Sequence, residues 1–225
     1  GFPDLLVANI GRSVWFQNQG DGTFVRRALT DESDLDSWTT SIACGDLSGD
    51  GLPEIVLVNY SDDEGVYQLP CQVGGDYCSP LRFRAAHDRI LTVNADGTLS
   101  DWQNGMPSQR TPGHGFGAII GNIDGQPGNE LLIVNDTDSN HYWMPDSATD
   151  ANGENDQRKI DSGVMSENAQ LFGLATGILG NRQGCMGLAH GDFDRNGRMD
   201  FHVTNYWDQP SDLYLQQPGS FFQNA

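Results

Sequence analysis

The segment "HGDFDRNGRMDFHVTNY", residues 190–206, places Asp192, Asp194, Asn196 and Asp200 directly ahead of a run of β-formers. Counted from Asp192, side-chain oxygens stand at the first, third, fifth and ninth places, with Gly197 at the sixth. "CGDLSGDGLPEIVLVNY", residues 44–60, repeats the arrangement with Asp46, Ser48, Asp50, Gly51 and Glu54. Hard cations such as calcium take several oxygens, drawn from carboxylates, amides, backbone carbonyls and water. Alternate residues of a tight loop can turn their oxygens to one point, and glycine at the sixth place permits the sharp turn. The backbone carbonyls of Leu52 and Arg198, at the seventh place, are candidate ligands as well.

An EF-hand is excluded. That motif needs an acid at the twelfth place and flanking helices. Leu57 and Val203 stand there, and "EIVLVNY" and "DFHVTNY" are β-branched and apolar, as strands are. The pattern predicts a strand, a cation-binding loop closed by an acid at the ninth place, and a second strand.

Internal repetition extends this unit along the chain. A third copy, "IGNIDGQPGNELLIVND" (120–136), offers Asn122, Asp124, Gln126 and Glu130, with Pro127 at the sixth place and glycine displaced to Gly128. It has fewer carboxylates, so hydrogen bonding within the loop is an alternative to an ion. A fourth copy, "GFPDLLVAN" (1–9), starts mid-loop: Gly1 and Asp4 match Gly51 and Glu54. An asparagine follows each closing acid at one fixed offset, namely Asn9, Asn59, Asn135 and Asn205. Two apparent glycosylation sequons, "NYS" at 59 and "NDT" at 135, are by-products of this repeated strand-ending residue.

Hairpins follow these strands. "WFQNQGDGTFVRR" (15–27) and "ILTVNADGTLSDW" (90–102) are β runs joined through Asp-Gly turns. "DLYLQQPGSFFQN" (212–224) is a shortened relative, and "HYWMPDS" (141–147) starts another whose return strand is expected within the polar stretch "DSATDANGENDQ". Each unit therefore has four strands, and no amphipathic helix is evident. Four-stranded units repeated around an axis predict an all-β fold, a β-propeller. The expected segments are a partial blade at 1–37 and blades at 38–105, 113–165 and 184–225. A β-solenoid is the runner-up, though its repeats are usually shorter.

The chain carries 31 acidic and 12 basic side chains, a net charge of −19, so a nucleic-acid partner is disfavoured. No apolar run reaches the length of a membrane helix, so insertion is not expected. Cys71 and Cys78 bracket "CQVGGDYC" and read as a disulfide, with a zinc site as the alternative. Closing such a loop is worth about 2–3 kcal/mol. It points to an oxidising compartment, so the chain is expected to be secreted, at the cell surface or periplasmic. Cys44 and Cys185 are expected as buried free thiols.

These loops resemble the FG-GAP/VCBS repeats of integrin-α-type propellers. The likeness is nearest to the branch related to cartilage acidic protein, with ASPIC/UnbV domains. It is carried by "GDLSGDGLPEIVLVNY", "GCMGLAHGDFDRNGRMDFHVTNY", the hairpin "NQGDGTF" and "CSPLRFRAAHDRI". The resemblance implies calcium held by Asp46, Ser48, Asp50 and Glu54 and by Asp192, Asp194, Asn196 and Asp200, with a third ion conceivable in the divergent loop. It also implies a ring of around seven blades. The chain is then a fragment, or a ring completed by further sequence or another chain, or a four-bladed closure. An unclosed ring leaves strand edges open to self-assembly.

No catalytic motif stands out: G-x-S-x-G and H-E-x-x-H are absent. "GHGFGAIIG" (113–121) leads into a strand, not a helix, so it is no phosphate cradle. His87, His114, His141, His190 and His202 are scattered. Tyr60, Tyr206 and Trp207 follow second strands, where they either contact a partner or pack between blades. Two functions are expected to compete. One is non-enzymatic protein or glycan recognition or adhesion, or a structural role in a surface assembly, with calcium structural. The other is a propeller enzyme, a polysaccharide hydrolase or lyase, which an acid pair or histidine cluster in a pocket away from the loops would favour.

Overall fold

The computed structural model describes residues 1–29, 37–63, 66, 78–94, 96–102, 105–146 and 164–225. It is a set of antiparallel meanders, which are blades of a β-propeller. The first has three strands, β1 (Leu5–Val7), β2 (Val14–Asn18) and β3 (Phe24–Ala28). The second has β4 (Trp38–Gly45), β5 (Glu54–Ser61), β6 (Arg89–Val93) and β7 (Leu99–Asp101). The third has β8 (Gly115–Gly121), β9 (Glu130–Asn135), β10 (His141–Pro145) and β11 (Met165–Glu167). The fourth has β12 (Cys185–Gly191), β13 (Asp200–Asn205), β14 (Asp212–Gln216) and β15 (Phe222–Asn224). Among the described residues the α-helical content is a single turn, α1 (Ala169–Phe172). Among the described residues no helix is long and apolar enough to cross a membrane.

Period-two alternation explains how the blades stack. In β5, Ile55 and Leu57 join a core cluster with Leu6 and Trp15 of the first blade, while Val56 and Val58 pack with Leu131 and Ile133 of the third. In β9 the other face, Leu132 and Val134, packs with Phe201 and Val203 of the fourth. Every residue of β5 and β9 is buried, because each strand has a sheet on both faces. This is why "EIVLVN" and "ELLIVN" read as continuous apolar runs rather than alternating ones.

The third blade's first strand, β8, lies close against both β4 and β5 of the second. A Cβ added at Gly45 would lie 2.5 Å from Ile120 Cγ2, and one at Gly115 would lie 2.5 Å from Val58 Cγ1. Only glycine permits that spacing. Each four-stranded blade also has a bulge in its first strand, which leaves Thr40, Phe116 and Met186 opposite no single partner. A bulge re-aims its extra side chain.

Two expectations are corrected. The strand that pairs with β10 is Met165–Glu167, beyond the polar stretch proposed to contain it, because pairing to β10 runs from Trp143 to Pro145 and needs residues that can reach that end. Cys44 is an exposed thiol, whereas Cys185 is buried. Cys44 sits at the loop end of β4, on the face turned to the three-stranded sheet, which brings no first strand to cover it. Cys71 lies outside the described residues.

Candidate functional site

The loops between first and second strands all lie at one end of the blades. Their common element is the closing acid, which is fully buried: Glu54, Glu130 and Asp200 have no exposed surface. Glu54 Oε2 accepts the backbone N–H groups of Leu47 (2.7 Å) and Ser48 (2.9 Å). Glu130 Oε2 accepts those of Ile123 (2.6 Å) and Asp124 (3.2 Å). Asp200 Oδ2 accepts that of Phe193 (2.8 Å), and its Oδ1 accepts that of Gln216 in β14 (2.9 Å). Asp4 repeats the last bond, accepting from Asn18 N–H at 2.8 Å. The ninth-place acid is thus a staple that folds the loop onto its own strand and the next.

The opening aspartates turn the loop. Asp46 accepts the N–H of Gly49 and Gly51, and Asp192 accepts those of Asn196 and Gly197, all at 2.7–3.0 Å. Two residues in each loop take the left-handed conformation: Gly49 and Gly51, then Arg195 and Gly197. The third loop has Gly125 at the fourth place, but Pro127 cannot adopt this conformation, so the second such residue is Gly128. Sequence inspection noted the sixth place and missed the fourth, although Gly49 and Gly125 are visible there.

The fourth-blade loop gathers its carboxylates. One ligand atom each from Asp192, Asp194 and Asp200 lies within 4.8 Å of the others, the one such set among the described residues. Asn196 is fastened beside them, donating from Nδ2 to Asp194 (2.9 Å) and to the Gln216 carbonyl (3.1 Å). Asp46, Asp50 and Glu54 are not drawn together in this way, since the third place is Ser48 and Asp50 turns back to the Leu52 N–H at 2.8 Å. Instead, Ser48 Oγ and Glu54 Oε1 are buried without a hydrogen-bond partner. Burial outweighs the N–H donors of Ser48 and Leu47 and raises the Glu54 carboxyl above the usual range. Orphaned buried oxygens beside a raised acid are what a hard cation would satisfy. In the third loop, Asp124 accepts from Gln126 N–H at 2.9 Å and Asn122 donates to the Gln126 carbonyl, so internal bonds hold the turn.

The repeated asparagine shapes the opposite end. Its side-chain amide donates to the carbonyl two residues before the next strand of its blade. The acceptors are Arg12 for Asn9 (3.0 Å), His87 for Asn59 (3.0 Å), Ser139 for Asn135 (2.7 Å) and Pro210 for Asn205 (2.7 Å). The intervening connections differ greatly in length, yet each returns to the same clamp. Asn59 and Asn135 are buried.

Two cavities open at this end. The first, about 320 Å³, is lined by Trp38, Tyr60, Asp136 and Tyr206, and by the bulge residues Phe116 and Met186. Tyr60 packs against Trp38 at 4.6 Å between ring centroids and donates its hydroxyl to Asp136 Oδ2 at 2.7 Å. Beside it, His114 Nδ1 meets Asp138 Oδ2 at 2.7 Å, and Nε2 meets the Phe83 carbonyl at 3.0 Å. Burial alone would lower the imidazole; these hydrogen bonds outweigh it and raise it. The second cavity, about 400 Å³, is lined by Arg110, Asp138, His141, Trp143, Glu167 and Arg182, among others. The segment 136–141 walls both cavities.

Of the aromatic trio read from sequence, Tyr60 is buried between blades, whereas Tyr206 and Trp207 are exposed, Trp207 at 85%. His114 and His141 belong to this end, while His190 is exposed at the start of an acidic loop. Sequence inspection passed over Asp136, Asp138 and Arg182. Asp136 was findable, since it follows the repeated asparagine as Tyr60 and Tyr206 do.

A search of curated proteins returned no relative. Residues 1–57, which span the first blade, β4, the first complete acidic loop and the start of β5, match the model of the FG-GAP-like repeat. The chain therefore carries an FG-GAP-like repeat within a β-propeller fold.

Proposed function

We propose that the chain is an extracellular calcium-binding β-propeller that recognises a protein or glycan, without catalysis, at the end opposite its acidic loops. The observation that carries this is the division between ends: buried acids and orphaned loop oxygens at one, two cavities at the other. Asp192, Asp194, Asn196 and Asp200 would hold one ion with the Arg198 carbonyl. Asp46, Ser48, Asp50 and Glu54 would hold another with that of Leu52. Asn122, Asp124, Gln126 and Glu130 form a third, weaker site. The ion removes the repulsion among carboxylates aimed at one point. Cys71 and Cys78 form a disulfide suited to the same compartment. Within the repeat family we place the chain nearest the cartilage acidic protein branch.

Thermal melts in calcium and in chelator test this. At ten times the dissociation constant, one site adds about 1.4 kcal/mol, a rise of about 3–6 °C for a domain of this size. Asp192→Ala should reduce the rise; a melt indifferent to calcium would sink the metal assignment.

One observation favours the enzymatic alternative. Asp138, His141 and Glu167 line one cavity away from the loops, the arrangement a polysaccharide hydrolase or lyase would need. Release of new reducing ends from a polysaccharide, abolished by Glu167→Gln, would establish it over simple recognition.

A further inference from the structure

The first cavity differs from the second in what its wall offers. Trp38 and Tyr60 of the second blade, Phe116 of the third and Tyr206 of the fourth bring aromatic rings to it. Met186 adds a thioether. The Tyr60 ring centroid lies 4.6 Å from that of Trp38 and 6.4 Å from that of Phe116. Asp136 supplies a carboxylate, and among the described residues no arginine, lysine or histidine lines the cavity. His114, 5.0 Å from Tyr60 between ring centroids, is engaged by Asp138.

Hydrogen bonding on this wall is largely spent within the protein. The Tyr60 hydroxyl donates to Asp136 Oδ2 at 2.7 Å. Gln209 Oε1 accepts the Gly184 N–H at 2.7 Å, and the Gly184 carbonyl accepts the Tyr206 N–H at 2.8 Å. A sugar or a primary ammonium, each calling for several hydrogen bonds, would be poorly served. An anion would meet Asp136 with no cation to offset it. A neutral apolar ligand would bury that carboxylate without compensation. A cation with an apolar shell meets neither cost, since the carboxylate attracts it and the ring quadrupoles favour it. Space beside the carboxylate depends on Gly184: a Cβ there would lie 3.0 Å from Asp136 Oδ1 and 3.1 Å from Tyr206 Cβ. Next on the wall, Thr137 holds a left-handed backbone (φ 67°). For a β-branched residue that conformation persists only where the surroundings impose it.

We propose that this cavity binds a quaternary ammonium group, its methyl shell against the aromatic rings and its charge beside Asp136. At about 320 Å³ the cavity is near the small end of the range for ligand sites. The proposal names a ligand chemistry beyond the protein or glycan reading, and rests on that reading for recognition at this end.

The test is calorimetric titration of the full chain, in calcium, with choline and with 3,3-dimethylbutan-1-ol, its uncharged isostere. Phosphocholine is the arm that represents a lipid headgroup. Choline should bind at a single site, and the alcohol about tenfold more weakly or not at all. Phosphocholine, whose phosphate meets no cation on this wall, should bind more weakly than choline. Tyr206→Ala, at a residue 44% exposed, should weaken choline about fivefold, the loss of one cation–π contact. Asp136→Asn keeps an acceptor for Tyr60 and should weaken it about tenfold. Melts in calcium confirm that each variant folds. No binding of choline, equal affinity for the alcohol, tighter binding of phosphocholine, or indifference to both substitutions would overturn the proposal. Because the calcium melt is read separately, a calcium-stabilised chain that ignores choline refutes this site and leaves the metal assignment standing.

Discussion

Tyr60 and Asp136 hold the same place in adjacent blades, each one residue beyond the repeated asparagine, and the Tyr60 hydroxyl donates to Asp136 Oδ2 at 2.7 Å. Both are 5% exposed. Burial raises the Asp136 carboxyl, and the hydrogen bond from Tyr60 partly opposes that. The pair therefore ties two blades together across a buried acid.

Tyr60→Phe keeps the ring contacts with Trp38 and His114 but removes the donor. Leaving a buried carboxylate short of a partner should cost about 1–3 kcal/mol in urea unfolding. An unchanged midpoint would show that the bond is not maintained in solution.

The asparagine clamp makes a second test. Asn135 has no exposed surface; its side-chain amide donates to the Ser139 carbonyl and its backbone N–H donates to Asn140 Oδ1 at 3.0 Å. Asn135→Ala should lose about 1–3 kcal/mol by orphaning a half-buried carbonyl and opening a void. Expressed through a glycosylating secretory route, the folded chain should show no glycan mass at Asn59 or Asn135.

Asp88 governs pH dependence in the second blade. It occupies the place that Asn140 holds in the third, accepting the Asn59 N–H at 2.9 Å. Burial, only partly offset by the Asn59 N–H and by Arg110, pushes its carboxyl up to about 7 from an ordinary 3.8. A raised acid binds its proton more tightly folded than unfolded. Its contribution is therefore complete below about pH 3.8 and is lost as pH rises through about 7. Asp88→Asn should leave stability near pH 4 nearly unchanged and raise it at pH 8 by up to about 4 kcal/mol. Denaturation midpoints of both proteins across that range check the sign; equal slopes would refute it.

Close approach of the first strands gives a steric test. Gly45→Ala should cost about 1–3 kcal/mol, because the new methyl meets Ile120 Cγ2 at 2.5 Å. Adding Ile120→Ala removes that carbon, so the double variant should lose less than the two single losses together. Strict additivity would mean that the strands relax apart.

Much of this molecule was legible in the chain because the signals are local. Side-chain oxygens on alternate residues, a glycine at a forced turn and β-branched runs act within a dozen residues, and they placed the acidic loops, the second strands and the Asp-Gly hairpins. The fixed offset of Asn9, Asn59, Asn135 and Asn205 marked the units as equivalent, although not what the amide does, since its acceptor lies up to 28 residues away. The return strand at Met165–Glu167 was hidden for a related reason: its identity comes from pairing with β10, not from its own composition. Tertiary structure alone decided which carboxylates meet, that Cys44 is exposed while Cys185 is buried, and that bulges bring Phe116 and Met186 to one cavity. It alone brought Asp138, His141, Glu167 and Arg182 to one cavity. Those relationships depend on the distance and tilt between stacked sheets, which the packing of buried faces sets and no short stretch of sequence encodes.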